Sequence, residues 1–223
     1  MSIGSNDIEV LLLRKDEHAQ AEEVEQFLSG LFPKFTVFRG SKDDKLSPEV
    51  LNWQGDLLIS FVTPWIYPET LLQRARLAAI NFHPGPPEYP GTGCTNFAIY
   101  DNAVEYGVTC HHMLSTVDSG SIIAVDRFPM KPGISVFDLT QQSYYQLETM
   151  VYRLIREFLE TGSFPQSEDI WTRKPYTRKE LNELCEIRPD MTSEEVNRRI
   201  HATTFIRPWA YTRIGNHVFR LAE

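Results

Sequence analysis

Apolar runs and amphipathic stretches alternate along the first half of the chain. Ile8–Leu13 reads IEVLLL, a nearly continuous apolar run of the kind expected for a strand buried on both faces. The stretch from Asp16 spaces Ala19, Ala21, Val24, Phe27 and Leu28 at helical intervals, and Gly30 is expected to close that helix as a left-handed C-cap. Phe35–Phe38, Asp56–Val62 and Ala78–Phe82 are three further strand candidates, with a helix expected from Pro68 to Arg76. This rhythm predicts an α/β fold built on a doubly wound, mostly parallel sheet.

Beyond Gly107 the rhythm changes. Val108–Leu114 and Ser121–Phe128 read as neighbouring strands joined by a short turn at Asp118–Gly120. From Val136 to Glu160 an apolar stripe of Leu139, Leu147, Met150, Val151, Leu154, Ile155, Phe158 and Leu159 predicts one long amphipathic helix. Thr161–Lys179 is polar, with Pro165 and Pro175, and reads as a linker or surface segment. Thr192-Ser193-Glu194-Glu195 is a capping-box start for a short helix to about His201. Trp209–Ile214 and His217–Leu221 then flank Gly215-Asn216, a two-residue hairpin turn. The expected division is a main domain over residues 1–180 and a small helix-plus-hairpin segment over 181–223.

Composition narrows the function classes. Apolar residues make up 42% and charged residues 23%, as in an ordinary globular protein. Twenty-two basic against thirty acidic side chains give a formal charge of −8, which argues against a nucleic-acid partner while allowing a small phosphorylated one. The longest apolar runs are strand-sized, so no membrane segment is expected. The polar N-terminus, MSIGSNDIEV, reads as no signal peptide. Cys94, Cys110 and Cys185 are odd in number and form no CxxC pair, which points to reduced, buried thiols and a cytoplasmic location.

The chemistry concentrates in Ile80–Ile123. An apolar strand ends in Asn81 and His83, two residues apart and therefore on one face. The chain leaves through the proline- and glycine-rich HPGPPEYPGTG, and the carboxylate of Asp118 follows at a turn. In open α/β sheets ligands bind beyond the carboxyl ends of the strands. An amide, an imidazole and a carboxylate converging there suit acyl transfer to an amine. His83 would take the amine proton, Asn81 would donate to the developing oxyanion, and Asp118 would orient the imidazole. On spacing alone, Asn-x-His and Asp-Ser-Gly are also ordinary turn sequences. His111 and His112 would point to opposite faces of a strand, so they make a poor chelating pair and no metal is assigned.

The same segment resembles the catalytic core of the 10-formyltetrahydrofolate-dependent formyltransferases. Asn81-Phe82-His83-Pro84, the Pro/Gly loop, Gly107-Val108-Thr109 and Asp118-Ser119-Gly120 match its pattern in order and separation. The resemblance implies a Rossmann-like formyltransferase fold with Asn81, His83 and Asp118 catalytic, 10-formyltetrahydrofolate as formyl donor, and no metal. It implies a folate site at Phe61, Thr63, Trp65, Val117 and Gly120. Within that family, the first strand here runs into Arg14-Lys15-Asp16 without the glycine-rich phosphate loop of glycinamide ribonucleotide enzymes. The short tail and acidic charge differ from a tRNA-gripping methionyl-tRNA formyltransferase. The closest likeness is to nucleotide-sugar N-formyltransferases, implying a nucleotide-sugar partner such as a dTDP-4-amino-4,6-dideoxyhexose. Candidate acceptor contacts are Pro84, Gly85, Tyr89, Trp171, Arg173 and Tyr176, and a homodimer is expected. The alternatives are a methionyl-tRNA or other small-amine formyltransferase, and an inactive folate- or nucleotide-sugar-binding homologue.

Overall fold

The computed structural model describes residues 4–222. Its centre is a six-stranded sheet in the order β2-β1-β3-β4-β5-β6. The strands are β1 Glu9–Lys15, β2 Lys34–Gly40, β3 Gly55–Phe61, β4 Ala75–His83, β5 Glu105–His112 and β6 Ile122–Pro129. The pairings β1–β2, β1–β3 and β3–β4 are parallel, and β4–β5 and β5–β6 antiparallel. The mostly parallel α/β sheet read from the periodicity is therefore present.

Period-two alternation sorts the apolar runs into two layers. Val10, Leu12, Leu57, Ile59, Phe61, Ile80 and Phe82 face one side and pack with Val24 and Leu28 of α1 (Ala19–Leu31). Leu147, Met150, Val151, Leu154, Ile155 and Phe158 of α5 (Val136–Thr161) complete that layer at helical spacing. On the other side Leu11, Leu13 and Leu58 pack with Val50 of α2 (Pro48–Leu51), Trp53, and Leu71 and Leu72 of α3 (Glu69–Leu72). Each such side chain taken fully out of water stabilises the fold by roughly 1.5–3 kcal/mol. A third cluster joins Phe97, Ala98 and Ile99 of α4 (Cys94–Tyr100) to Leu181 and Leu184 of α6 (Arg178–Cys185) and Ala202 of α7 (Ser193–Ala202). The hairpin β7 (Tyr211–Ile214) and β8 (His217–Arg220) turns at Gly215-Asn216, with Gly215 at φ 59°.

Several boundaries differ from the sequence expectation. Gly30 lies inside α1 rather than at a left-handed cap; the helix continues until Phe32, its C-cap, is buried. The helix expected over Pro68–Arg76 is the single turn Glu69–Leu72, because Ala75 already pairs with Gly55 on β3. The β5–β6 connection is a loop over residues 113–121, longer than a tight turn. Of the Thr161–Lys179 stretch read as a linker, Thr161 ends α5, Arg178 and Lys179 begin α6, and residues 162–177 between them form a strap pinned to the Pro/Gly loop. Thr172 N–H donates to Pro87 O at 3.2 Å, Tyr176 N–H to Pro90 O at 2.8 Å, and Thr92 N–H to Tyr176 O at 2.9 Å.

Candidate active site

Asn81 and His83 end β4 on the face opposite to Ile80 and Phe82. Across the antiparallel pair, Asn81 stands opposite His111 and His83 opposite Thr109. Directly opposed residues share a face, so His111 joins the pair. The loop over residues 113–121 then brings back Asp118, whose backbone is left-handed at φ 41°, a conformation Asp tolerates better than most residues. One carboxylate oxygen, Oδ2, accepts from His83 Nδ1 at 3.2 Å and from the Gly91 N–H at 2.7 Å. The other, Oδ1, lies 3.2 Å from His111 Nε2.

The tautomers follow from the acceptors. His111 Nδ1 is 2.8 Å from the His112 carbonyl, which can only accept, so that nitrogen carries a proton. Its Nε2 either accepts from Asn81 Nδ2 at 3.2 Å or, when protonated, donates to Asp118. In the first state one Asn81 N–H is committed to His111 and its second N–H is left for the cleft.

His83 is poised between opposing influences. Burial disfavours its cation and dominates, holding the imidazole below its ordinary pKa of 6.5; the Asp118 carboxylate and the Tyr89 carbonyl, 3.1 Å from Nε2, push the other way. When Nε2 gains a proton, its lone-pair contact with that carbonyl becomes a hydrogen bond. For Asp118, burial favours the neutral acid, but its contacts with His83 and His111 and the hydrogen bond from the Gly91 N–H outweigh it and hold the carboxyl well below the usual carboxylate range. The arrangement is a neutral base beside a fixed carboxylate.

Two glycines are required by the way the site closes. Gly91 has φ 86°, and a Cβ there would come within 2.4 Å of the Tyr176 carbonyl; this conformation aims its N–H at Asp118. At Gly120 a Cβ would sit 1.8 Å from His112 O. The Gly120 carbonyl accepts from Trp171 Nε1 at 2.8 Å, which sets the indole edge-on to His111 at 5.1 Å and to His83 at 6.0 Å between ring centroids.

Asn81, His83, His111 and Asp118 line a cleft of about 510 Å³, within the range of small-molecule sites. Asn81, His83, Asp118, Thr63, Trp65, Val117 and Pro84 all border it. The remaining sequence candidates lie outside the lining. Phe61 points to the opposite layer and packs on Phe82. Gly85 sits behind His83, where a Cβ would meet Nε2 at 2.6 Å. Tyr89 gives its carbonyl to His83 while its ring stacks with Tyr106 and Tyr176. Gly120 and Trp171 support the histidines from behind. Arg173 lies over the Tyr176 ring and pairs with Glu180.

Sequence reasoning passed over other lining residues, His111, Tyr67, Tyr144 and Lys42 among them. Tyr67 hydrogen-bonds Ser60 and Thr63, forming a hydroxyl triangle with edges of 3.1, 3.1 and 2.5 Å. That triangle spans Val62, a β-branched residue held at φ 53° on the cleft wall, a conformation costing on the order of 1–3 kcal/mol. Cys94 also borders the cleft, but burial pushes its thiol up to about 11, so it is no nucleophile at neutral pH.

The cleft has a mixed polar and apolar wall, carrying the hydroxyls of Ser60, Thr63 and Tyr67 and an amide beside an imidazole. Comparison with known proteins shows which family shares this arrangement of elements. A family model described as formyl transferase matches residues 11–154. Methionyl-tRNA formyltransferase of Listeria innocua is 34% identical over 83 residues, which is 37% of this chain and 27% of that protein. The chain spans from 27% to 58% of the length of such curated relatives. Among solved structures, a 4-N formyltransferase from Francisella tularensis superposes with a TM-score of 0.78 at 17% identity, covering 98% of each chain. An N-formyltransferase from Helicobacter canadensis, in complex with folinic acid and dTDP-3-aminofucose, gives 0.69 at 19% identity over 94% of this chain and 85% of its own. These structural likenesses show a shared fold, and the family match covers the strands and loops that carry Asn81, His83 and Asp118: the chain belongs to the formyl transferase family.

Proposed function

We propose that this chain moves a formyl group from 10-formyltetrahydrofolate to the amine of a nucleotide-linked aminodeoxy sugar, with a dTDP-4-amino-4,6-dideoxyhexose as first candidate. The observation that carries the reading is the carboxylate of Asp118 held between two imidazoles, beside the Asn81 amide, on the wall of one cleft. The donor supplies an activated formyl carbon. Neutral His83 accepts the proton released as the acceptor nitrogen bonds to that carbon, and Asp118 steadies the resulting imidazolium. The uncommitted Asn81 N–H donates to the charge developing on the formyl oxygen. The same proton can then pass from His83 to the departing nitrogen, so the enzyme ends as it began. In this reading Thr63, Trp65 and Val117, which border the cleft, hold the donor, and Pro84, also on its wall, meets the acceptor.

The test is incubation of the purified chain with 10-formyltetrahydrofolate and a panel of dTDP-, UDP- and GDP-4-amino sugars, followed by mass spectrometry. A formylated sugar nucleotide is expected. Formylation of charged initiator tRNA with no sugar product would replace the acceptor, and no formylated product from any amine would remove the activity.

A further inference from the structure

A second cavity, of about 420 Å³, lies beside the first, and Arg178 lines both. Local periodicity explains its walls. On α6, Arg178, Leu181, Asn182 and Cys185 follow i, i+3, i+4, i+7, a single stripe of helix. On the hairpin, Tyr211 opposes Arg220 and Arg213 opposes Val218. Residues two apart and residues directly opposed share a face, so these four form one side of the hairpin. Trp209, just before β7, completes the lining. The two walls are tied together by the Ile187 N–H, which donates to Tyr211 O at 2.7 Å, and by the Tyr211 hydroxyl, which donates to Asn182 O at 3.4 Å.

The charge of this cavity is opposite to that of the chain. Three guanidinium groups and no carboxylate line it, in a protein of formal charge −8. Arg213 is partnered by Glu186 at 3.5 Å, whereas Arg178 and Arg220 form no ion pair among the described residues. Guanidinium groups gathered on a concave surface repel one another, and an anion relieves that cost; their planar forks fit phosphate oxygens in pairs. Leu181 and Cys185, 2% and 5% exposed, give an apolar floor, and Trp209 and Tyr211 add aromatic surface. A bare inorganic anion would leave those rings idle. A nucleoside diphosphate uses both features, stacking its base while its phosphates meet the arginines.

We propose that the cavity between α6 and the hairpin receives the nucleoside diphosphate end of the acceptor, with Arg178 holding phosphate at the passage into the catalytic cleft. This deepens the formyl-transfer reading and rests on it for the direction of the sugar, whose amine points toward His83.

Calorimetric titration of the full chain with dTDP, UDP, GDP and inorganic pyrophosphate, with folinic acid titrated in parallel, tests the assignment. At least one nucleoside diphosphate is expected to bind, and pyrophosphate about tenfold more weakly because it cannot stack. Arg220→Ala should weaken the nucleotide about tenfold, as loss of a charge-assisted contact does, and leave folinic acid within about twofold. Trp209→Leu, and Trp209→Phe should the first fail to fold, separate stacking from charge: Leu weakens the nucleotide and Phe largely restores it. Absence of nucleotide binding, equal affinity for pyrophosphate, or an unchanged Kd in Arg220→Ala each overturns the proposal. If folinic acid still binds in those cases, formyl transfer survives and only the acceptor site falls. Nucleotide binding without folinic acid binding would instead keep the cavity and overturn the formyl-transfer reading.

Discussion

Asp118 serves two imidazoles and one backbone N–H with a single carboxylate, from a left-handed backbone that turns it back over the sheet. Its charge and its position are therefore separable. Asp118→Asn keeps the size of the side chain and loses the charge that steadies protonated His83. We expect kcat/KM to fall by about 10²–10⁴, the usual range for disabled acid–base catalysis, with folinic acid affinity unchanged; steady-state rates and calorimetry check both halves. A second expectation concerns pH. Burial holds His83 below 6.5, and in the proposed reaction the neutral ring is the base. The rising limb of kcat/KM should therefore have its midpoint below pH 6.5, so that the rate drops only as pH falls through that lowered value. A limb centred above 6.5 would show that Asp118, rather than burial, governs the imidazole. At this scale the residue types were legible in the sequence, since Asn81 and His83 needed only the two-residue period of a strand. His111 was not legible. It is buried beside them because β5 pairs with β4 in one particular antiparallel register, which adjacent letters do not encode.

At the scale of elements, α1 begins on a histidine. His18 accepts from the Ala21 N–H through Nδ1 at 3.3 Å and sets its ring edge against Tyr144, a wall residue of the cleft, at 4.5 Å. Burial and the nearby Lys15 lower its pKa to about 4. The unfolded chain takes up a proton on this side chain near 6.5 and the folded chain does not until about 4. Stability is thus fully present above 6.5 and declines as pH falls toward 4, by on the order of 3 kcal/mol. Denaturant unfolding across that window should show the decline, and His18→Asn, which keeps a capping side chain, should remove this part of the pH dependence. The capped start of α7, the hairpin and the long α5 were readable because caps and periodicity are local; α6, whose start carries its own capping box at Thr177 and Glu180, was not read. The helix expected over Pro68–Arg76 was shortened by a non-local competitor, the ladder between Ala75 and Gly55.

Across the whole molecule, the segment over residues 162–177 decides how the site is held. It carries little regular structure, yet it fastens the Pro/Gly loop, and through Trp171 it supports Gly120 and both histidines. Trp171→Ala should cost about 2 kcal/mol of stability, a partly buried aromatic being removed. It should also lower kcat about tenfold by loosening His83 and His111, while each KM stays within about twofold. Thermal unfolding and full kinetic curves test this, and a change confined to KM would place the indole in substrate contact instead. The same segment also explains why Tyr89, Trp171, Arg173 and Tyr176 gather near the site without lining the cleft. Their aromatic and basic character drew them as acceptor contacts. In the fold those features are spent on stacking, on Glu180 and on the Gly120 carbonyl.

The chain by itself determined the alternation that builds a two-faced sheet, the amide, imidazole and carboxylate of the site, and the glycines at which its turns close. Each depends on a period of two or 3.6 residues, or on the conformational freedom of one residue, and these are local properties. Tertiary structure alone decided that His111 completes the cluster, that a polar stretch becomes a strap, and that an arginine-lined cavity opens where one stripe of α6 meets one face of the hairpin. Those outcomes depend on strand register and on which surfaces meet across long stretches of chain, quantities set by the packing of the whole rather than by any neighbouring letters.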